Sequence, residues 1–500
     1  MNDGDSVYDE SDGARAGCPD DAPGEECGIF AIYGHPNAAE MAYLGLYALQ
    51  HRGQESTGIV TADGADLYYH RGMGLVSEVF GDQAVFRYLK GRNAIGHNRY
   101  STSGSNRIMN VQPIIVGDRE GPIAVGHNGN FTNTRALHDH LIRKGAIFQT
   151  TVDSELVIHL IAMSERGTFE ERLVDALGRI EGAYCLVILT RDSVIAVRDP
   201  YGFRPLCLGK TDTGWVVASE TCAIDIIDAE YVREVEPGEI LIIDSGGVRS
   251  LTPFPPAQKH FCIFEYIYFS RPDSFIFGEC VDTVRRNIGK TLAEEHPVDA
   301  DIVISVPDSS NTAALGYSKS SGIPFEIGLI RNHYIGRTFI HPSQVTRDAR
   351  VRIKFNPVRG VLEGKRVVVV EDSIVRGTTF KKLTHFLRKG GAKEIHLRVS
   401  SPPIIAPCFY GMDFPTYEEL MASSRTVEEI RRFIGVDTLG YLSLDGLMRS
   451  VPNGTNDYCA ACFSGEYPTS IPSDLKKGCL EDANTSNTHI IDAHSLRYRK

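Results

Sequence analysis

VVVVEDSIVRGTT, residues 367–379, places a strand, an acidic pair and a hydroxyl-rich turn in immediate succession. Four β-branched residues in a row, Val367 to Val370, fit a strand buried on both faces of a parallel sheet. Glu371 and Asp372 follow at its carboxyl end, where open α/β sheets bind ligands. Ser373, Arg376, Gly377, Thr378 and Thr379 then form a turn that leads into the helical pattern KKLTHFLRK. Backbone N–H groups at such a helix N-terminus cradle phosphate. Neighbouring carboxylates suit ribose hydroxyls and Mg²⁺. The residues therefore imply a phosphorylated ribose held with a metal.

Working outward, DIVISVP (301–307) and EIHLRVSSPP (394–403) read as further strands separated by helical patterns, which predicts an α/β domain with a doubly wound parallel sheet. The text before residue 250 differs. Short strands such as GAYCLVILT, SVIAVRD and GWVVAS alternate with turns, and two helical patterns interrupt them, near Ala38 to Gln50 and Glu155 to Ser164. This predicts an α+β layered domain. TPFPPAQKH (252–260) reads as a Pro-rich linker. Residues 1–26 carry nine acids and one base, Arg15, the composition of a disordered leader. The polar tail 476–500 reads as flexible.

Five hundred residues, 42% of them hydrophobic, suffice for two or three cores. A net charge of −12 argues against nucleic-acid binding. No apolar run reaches the length of a membrane span, and the acidic N-terminus is not a secretory signal. Eleven cysteines without a tight framework argue for a reducing compartment, and we expect the cytoplasm.

The 367–379 stretch resembles the diphosphoribosyl (PRPP) motif of the type I phosphoribosyltransferases. VPDSSNTAA (306–314) resembles that family's pyrophosphate loop, and RNHYIGRTFIHPSQVTRDARVRIKF (331–355) its mobile basic loop. The resemblance implies that Ser310, Glu371 and Asp372 bind Mg²⁺. It implies that Glu371, Asp372, Ser373, Arg376, Gly377, Thr378 and Thr379 hold PRPP, and that Arg337 closes over the leaving pyrophosphate. The family often has Asp at both acidic positions; Glu371 keeps the charge on a longer arm.

Cys27 stands at the border between leader and domain. Cut before it, the chain would carry an α-amine beside its own thiol. That amine titrates near pH ~8 and serves as a base for the nucleophile. Uncut, Cys27 is a small buried residue opening a strand. CGIF together with LQHRGQESTGI (49–59), GHNRYSTSG (96–104), GHNGNFTN (126–133) and TTVDSE (150–155) resembles the glutaminase domain of class II glutamine amidotransferases. These are four-layer N-terminal-nucleophile hydrolases. The resemblance implies a cleaved propeptide over 1–26, a glutaminase over 27–252 and a transferase over 253–475. It implies Cys27 as nucleophile, Asn128 and Gly129 as the oxyanion hole, and Arg99, Thr102 and Asp153 as binders of the glutamine backbone. His51 and His97 are expected to position loops, since the α-amine fills the base role, and Arg52 to order the glutamine loop.

Cys459 and Cys462 form a CxxC, and Cys262 and Cys408 lie apart. Four thiolates hold a [4Fe–4S] cluster or a zinc ion, and spacing alone separates neither. The resemblance favours the cluster, because the family branch that carries it also carries the leader. Together the two resemblances imply glutamine-dependent conversion of PRPP to 5-phosphoribosylamine, with glutamate and pyrophosphate released and ammonia channelled between sites. That is the first committed step of de novo purine nucleotide synthesis. They further imply a homotetramer inhibited by purine nucleotides. Two other readings stand beside this one. Another class II amidotransferase would carry sugar-isomerase repeats in place of VVVVEDSIVRGTT. A non-catalytic PRPP or purine sensor would have no use for Cys27, Arg99, Asn128 and Asp153 together.

Overall fold

The run Val367–Val370 is fully buried in the strand Arg366–Glu371, as its unbroken β-branched character predicts. The strand lies inside a parallel sheet ordered Ile302–Ser305, Arg366–Glu371, Glu394–Val399, Thr438–Tyr441. Val368 and Val370 face a core that includes helices Val281–Glu295 and Asn311–Ser321. Val367 and Val369 face the opposite core, built on helices Thr378–Lys389 and Val427–Ile434. Helices on both faces explain why no polar residue interrupts the run. The structure is a computed structural model that describes residues 27–100, 106–332, 355–412, 414, 416–452, 454, 456–472 and 480. The leader, Thr102, Arg337 with most of the basic stretch, and almost all of the tail lie outside the described residues.

The first half is two antiparallel sheets face to face. One has seven strands, with Gly28–Tyr33 between Trp215–Ala218 and Asn93–Arg99. The other has six, with Gly121–Phe131 between Ile114–Asp118 and Gly182–Leu189. Ile29, Ala31, Val60 and Ile95 of the first meet Ala124, Val187, Ala196 and Leu241 of the second. Helix Ala38–Ala48 covers the outer face of the first sheet. Helices Ser154–Met163 and Phe169–Leu177 cover that of the second. The result is the four-layer α/β/β/α arrangement of the N-terminal-nucleophile hydrolases. Helices Thr134–Arg143 and Phe169–Leu177 go beyond the two expected from the sequence. Thr168 and Glu171 close a reciprocal capping box on the second of them, at 3.2 and 3.1 Å. Residues 252–260 form neither helix nor strand.

Helices Val281–Glu295 and Asn311–Ser321 cross at backbone contact. A Cβ at Gly289 would overlap Ala313 O, and one at Gly316 would overlap the Arg286 carbonyl. Alanine gains about 1 kcal/mol of helix propensity over glycine. Here overlap with a neighbouring main chain outweighs that gain, since overpacking costs ~1–3 kcal/mol. Gly316→Ala is expected to destabilise the transferase half, read as a lower urea midpoint with an unchanged slope. A raised midpoint would show that the helices separate freely.

Candidate active sites

Cys27 immediately precedes a central strand and is 6% exposed, with Sγ 3.6 Å from Tyr100 O. Gly28 pairs with Asn98, so the strand ending at the buried Arg99 runs alongside. A Cβ at Gly53 would overlap the Asn98–Arg99 backbone, which fixes the HRGQ loop against that strand. Asn98 is locked by Leu46 O at 2.7 Å and Thr57 Oγ1 at 2.8 Å.

The facing sheet supplies Asn128 and Gly129. Asn128 is buried, and its Nδ2 has no hydrogen-bond partner among the described residues. Buried donors are rarely left so, and an unpaired one beside a glycine N–H is what a developing oxyanion takes. Gly129 has φ +146°, and a Cβ there would overlap Ala183 O. Only glycine fits. Behind it lies the second half of the chain. A Cβ at Gly411 would stand 3.2 Å from Gly129 Cα, Asn130 Nδ2 donates to Phe409 O at 3.0 Å, and Arg204 Nη2 donates to Tyr410 O at 2.7 Å.

Asp153 precedes helix Ser154–Met163 and is buried. Its Oδ2 accepts from Phe131 N at 3.0 Å, and its Oδ1 lies 3.3 Å from His127 Nδ1. His127 stacks on Phe131 with centroids 4.6 Å apart. Strand Gly121–Phe131 thus gathers Asn128, Gly129 and Asp153 at one end. His127 sits in the GHNGN motif but carried no expectation of its own; its pairing spans 26 residues of sequence, which no local pattern reveals. His97 contacts a carbonyl of strand Gly121–Phe131, and His51 contacts the end of helix Ala38–Ala48 and Glu220. His97 Nε2 donates to His127 O at 2.9 Å, while His51 lies 3.2 Å from Ala48 O and 2.6 Å from Glu220 Oε1.

Burial pushes the His97 imidazole down to about 3, so it is neutral in the folded protein. The unfolded chain takes up that proton near ~6.5. The folded value is the lower one, so stability falls as pH drops through this window, by ~1.4 kcal/mol per unit. His97→Gln keeps a donor for His127 O without a basic nitrogen. Its urea stability is expected to fall less steeply than wild type between about pH 6 and pH 4. Parallel slopes would show that another group dominates.

In the second half, Val306 N donates to Val370 O at 3.0 Å, which sets the VPDSS and EDS loops side by side at adjacent strand ends. Ser309 Oγ donates to Asp372 Oδ2 at 2.5 Å, and Ser373 Oγ donates to Oδ1 at 2.7 Å. Burial raises the Asp372 carboxyl above its ordinary range, and these hydroxyls with the Arg285 charge pull it back. Ser310 is buried, and its Oγ makes no hydrogen bond among the described residues. Glu371 is half-buried at the strand end. Gly377 takes φ +71° just before helix Thr378–Lys389, whose first residues are Thr378 and Thr379. Arg376 lies 3.4 Å from Glu419. Arg331, just before the undescribed basic stretch, pairs with Asp308 at 2.9 Å. Among the described residues no three His, Cys, Asp or Glu side chains are grouped to hold an ion. Mg²⁺ needs no such cage, since it keeps its waters and binds one or two carboxylates plus substrate phosphates. The oxygen donors Ser310, Glu371 and Asp372 fit that chemistry.

Backbone pairing joins the segments that carry the four scattered cysteines. Cys262 and Cys459 are neighbours in a two-stranded parallel ladder. Ile405 and Ala406 donate to Cys462 O at 2.9 and 3.1 Å, which draws the segment holding Cys408 to the CxxC. Burial raises the Cys462 thiol well above its ordinary range, with Cys408, Cys262 and Cys459 adding to the effect. Burial likewise pushes Cys459 up to about 12. Buried thiols that raise one another need an added cation to ionise, which a bound metal provides. Cys185, Cys207 and Cys222 are buried thiols raised by desolvation, the condition of inert cysteines.

The sequence matches the family model of a glutamine amidotransferase domain over residues 97–225 and that of a phosphoribosyl transferase domain over residues 279–401. It is 50% identical over 455 residues to the amidophosphoribosyltransferase of Bacillus subtilis strain 168, covering 90% of this chain and 95% of that one. It is 52% identical over 459 residues to the chloroplastic amidophosphoribosyltransferase 1 of Arabidopsis thaliana, covering 91% and 81%. The solved glutamine PRPP amidotransferase of B. subtilis, complexed with ADP and GMP, superposes with a TM-score of 0.86 at 49% identity, covering 90% of this chain and 99% of that one. With such matches running through both of its sites, the chain belongs to the amidophosphoribosyltransferase family, the glutamine PRPP amidotransferases of purine biosynthesis.

Proposed function

We propose that this chain makes 5-phosphoribosylamine from PRPP, with ammonia released from glutamine in its first half and consumed in its second. One observation carries the reading. A single chain sets Cys27 at the head of a central strand in a four-layer domain and Asp372 at the end of a central parallel strand in another. Removal of 1–26 frees the Cys27 α-amine, which takes the thiol proton as sulfur attacks the glutamine amide. Asn128 Nδ2 and the Gly129 N–H receive the oxyanion, each such donor being worth ~3 kcal/mol. Arg99 and Asp153 hold the α-carboxylate and α-ammonium, with Thr102 lining the same pocket. Domains over 27–252 and 253–475 divide the work, and 476–500 forms the tail.

In the second half, Ser373, Arg376, Gly377, Thr378 and Thr379 hold the ribose phosphate. Glu371 and Asp372 face the ribose, and Arg337 meets the pyrophosphate. Ser310, Glu371 and Asp372 would hold Mg²⁺, which when bound would neutralise charge developing on the leaving group. Cys262, Cys408, Cys459 and Cys462 would hold a [4Fe–4S] cluster. Its role here is structural, joining the segment after the linker to the C-terminal one. The family resemblance, rather than the spacing of the thiols, favours the cluster over one zinc ion. Purine nucleotides bind the phosphate sites as inhibitors, and the protein works as a homotetramer in the cytoplasm.

The test is one preparation with three readouts. Purified protein is expected to release glutamate when PRPP is present, to begin at Cys27 by mass spectrometry, and to contain iron and acid-labile sulfide. Full activity with Met1 intact would overturn the leader-cleavage step. Zinc without iron would overturn the cluster.

A further inference from the structure

Strand Gly121–Phe131 outruns its neighbour on one edge. Ile114–Asp118 pairs with it only as far as Ile114 opposite Val125, and Pro113, which has no N–H, stands before Ile114. The other edge stays paired with Gly182–Leu189 as far as Phe131. Alternate residues of an antiparallel strand turn their N–H groups to the same edge. Beyond Val125 the N–H groups of His127, Gly129 and Phe131 therefore face the side on which the ladder has stopped. Side chains take two of them. Gln112 Oε1 accepts from His127 N at 2.9 Å, and Asp153 Oδ2 accepts from Phe131 N at 3.0 Å. Gly129, the proposed oxyanion donor, lies between them.

The two flanking groups are tied to each other. Asn110 Nδ2 donates to Thr151 Oγ1 at 2.9 Å, and Asn110 Oδ1 accepts from Thr151 N at 3.0 Å. This reciprocal clasp stands two residues before Gln112 on one side and two before Asp153 on the other. Asn110, Gln112 and Asp153 are all buried. Arg71 Nη1 holds the first segment, donating to Val111 O at 3.0 Å and Pro113 O at 3.3 Å. A Cβ at Gly58 would overlap Gln112 O, so that segment lies directly on strand Ser56–Ala62. Glu155 holds the second, accepting from Gln149 N and Thr150 N, each at 2.8 Å.

We infer that Asn110 and Gln112 are positioning residues for glutamine hydrolysis: Gln112 fixes the strand that carries the oxyanion donors, and Asn110 fixes the separation between those donors and the Asp153 carboxylate. The reacting amide and the α-ammonium are opposite ends of glutamine, so that separation gauges the substrate. The inference rests on the proposed roles of Asn128, Gly129 and Asp153. The two residues act on different partners, and their loss has different kinetic signatures. A displaced Asp153 weakens ground state and transition state alike, which raises KM. Displaced oxyanion donors weaken the transition state alone, which lowers kcat.

The experiment uses the purified holoenzyme with Mg·PRPP present. It follows glutamate formed from glutamine and glutarate formed from glutaramate, which is glutamine without its α-amino group. Asn110→Ala is expected to raise the KM for glutamine about 10-fold with kcat within about threefold of wild type, and to cut the preference for glutamine over glutaramate, as a ratio of kcat/KM, about 10-fold. Gln112→Met, which keeps the length of the side chain without the acceptor, is expected to lower kcat about 10-fold on both substrates and to leave their ratio within about threefold. Thr151→Ser keeps both contacts of the clasp and is expected to match wild type. Thr151→Val loses the hydroxyl, is expected to follow Asn110→Ala, and decides the matter if Asn110→Ala fails to fold. An unchanged substrate preference in Asn110→Ala or Thr151→Val overturns the inference. So does wild-type kcat in Gln112→Met, or one and the same kinetic change from Asn110→Ala and Gln112→Met. Asp153→Asn separates the inference from the reading beneath it. If that variant keeps the preference, the α-ammonium role of Asp153 falls; if it loses the preference while Asn110→Ala keeps it, only the inference falls.

Discussion

Cys27→Ala is expected to abolish glutamate release from glutamine, by a factor on the order of 10⁴ or more, while ammonia-dependent formation of phosphoribosylamine continues near the wild-type rate. Removing a covalent nucleophile leaves only the binding groups and the oxyanion donors, which is why the loss is so large. The transferase should not notice. Its acidic loop lies in another core, and the alanine replaces a small buried side chain immediately before a strand. Parallel assays with glutamine and ammonium chloride check the split. Equal loss in both would show that the substitution damaged the fold, and retained glutaminase activity would remove Cys27 from the mechanism.

The second expectation has the opposite pattern. Asp372→Asn should lower transfer about 10³-fold with either nitrogen source, because both the metal contact and the anionic partner of the ribose are lost. The fold should not suffer. Burial raises the Asp372 carboxyl, so the folded protein holds the charged form at a cost wherever pH exceeds the unfolded value. A neutral amide of the same shape removes that cost, although it can accept only one of the two serine hydroxyls now on the carboxylate. Urea midpoints at pH 7 should be unchanged or slightly higher. A large fall in midpoint would mean that the hydroxyl contacts outweigh desolvation, and transfer within tenfold of wild type would exclude Asp372 from the site.

The transferase fold was legible because its signal is local. A valine run, an acidic pair and a turn succeed one another within residues 367–379, and the parallel sheet follows from helical patterns between strands. The glutaminase layers were legible as strands, less so as helices. Helix Phe169–Leu177 announces itself only through Thr168 and Glu171, a capping signal easily lost among neighbouring acids. Thr134–Arg143 starts without a side-chain cap. Side-chain partnerships formed a third class. Arg52 meets Glu220 and Glu265 across 168 and 213 residues of sequence, so nothing near HRGQ identifies the partners. The π-helical turn in FEYIYFS carries no periodic signature of its own. The placement of Cys262 beside Cys459 likewise depends on a two-residue ladder joining distant segments.

The contact of Phe409 and Gly411 with the strand of Asn130 and Gly129 has a consequence in time. Asn130 and Phe409 are 279 residues apart. At synthesis rates of about 5–20 residues per second, the ribosome needs roughly 15 to 60 seconds to travel between them. Throughout that interval the nascent first half lacks the wall behind Gly129. A chain stalled or truncated before residue 409 therefore lacks the Phe409 and Gly411 contacts that back the strand of Asn128 and Gly129.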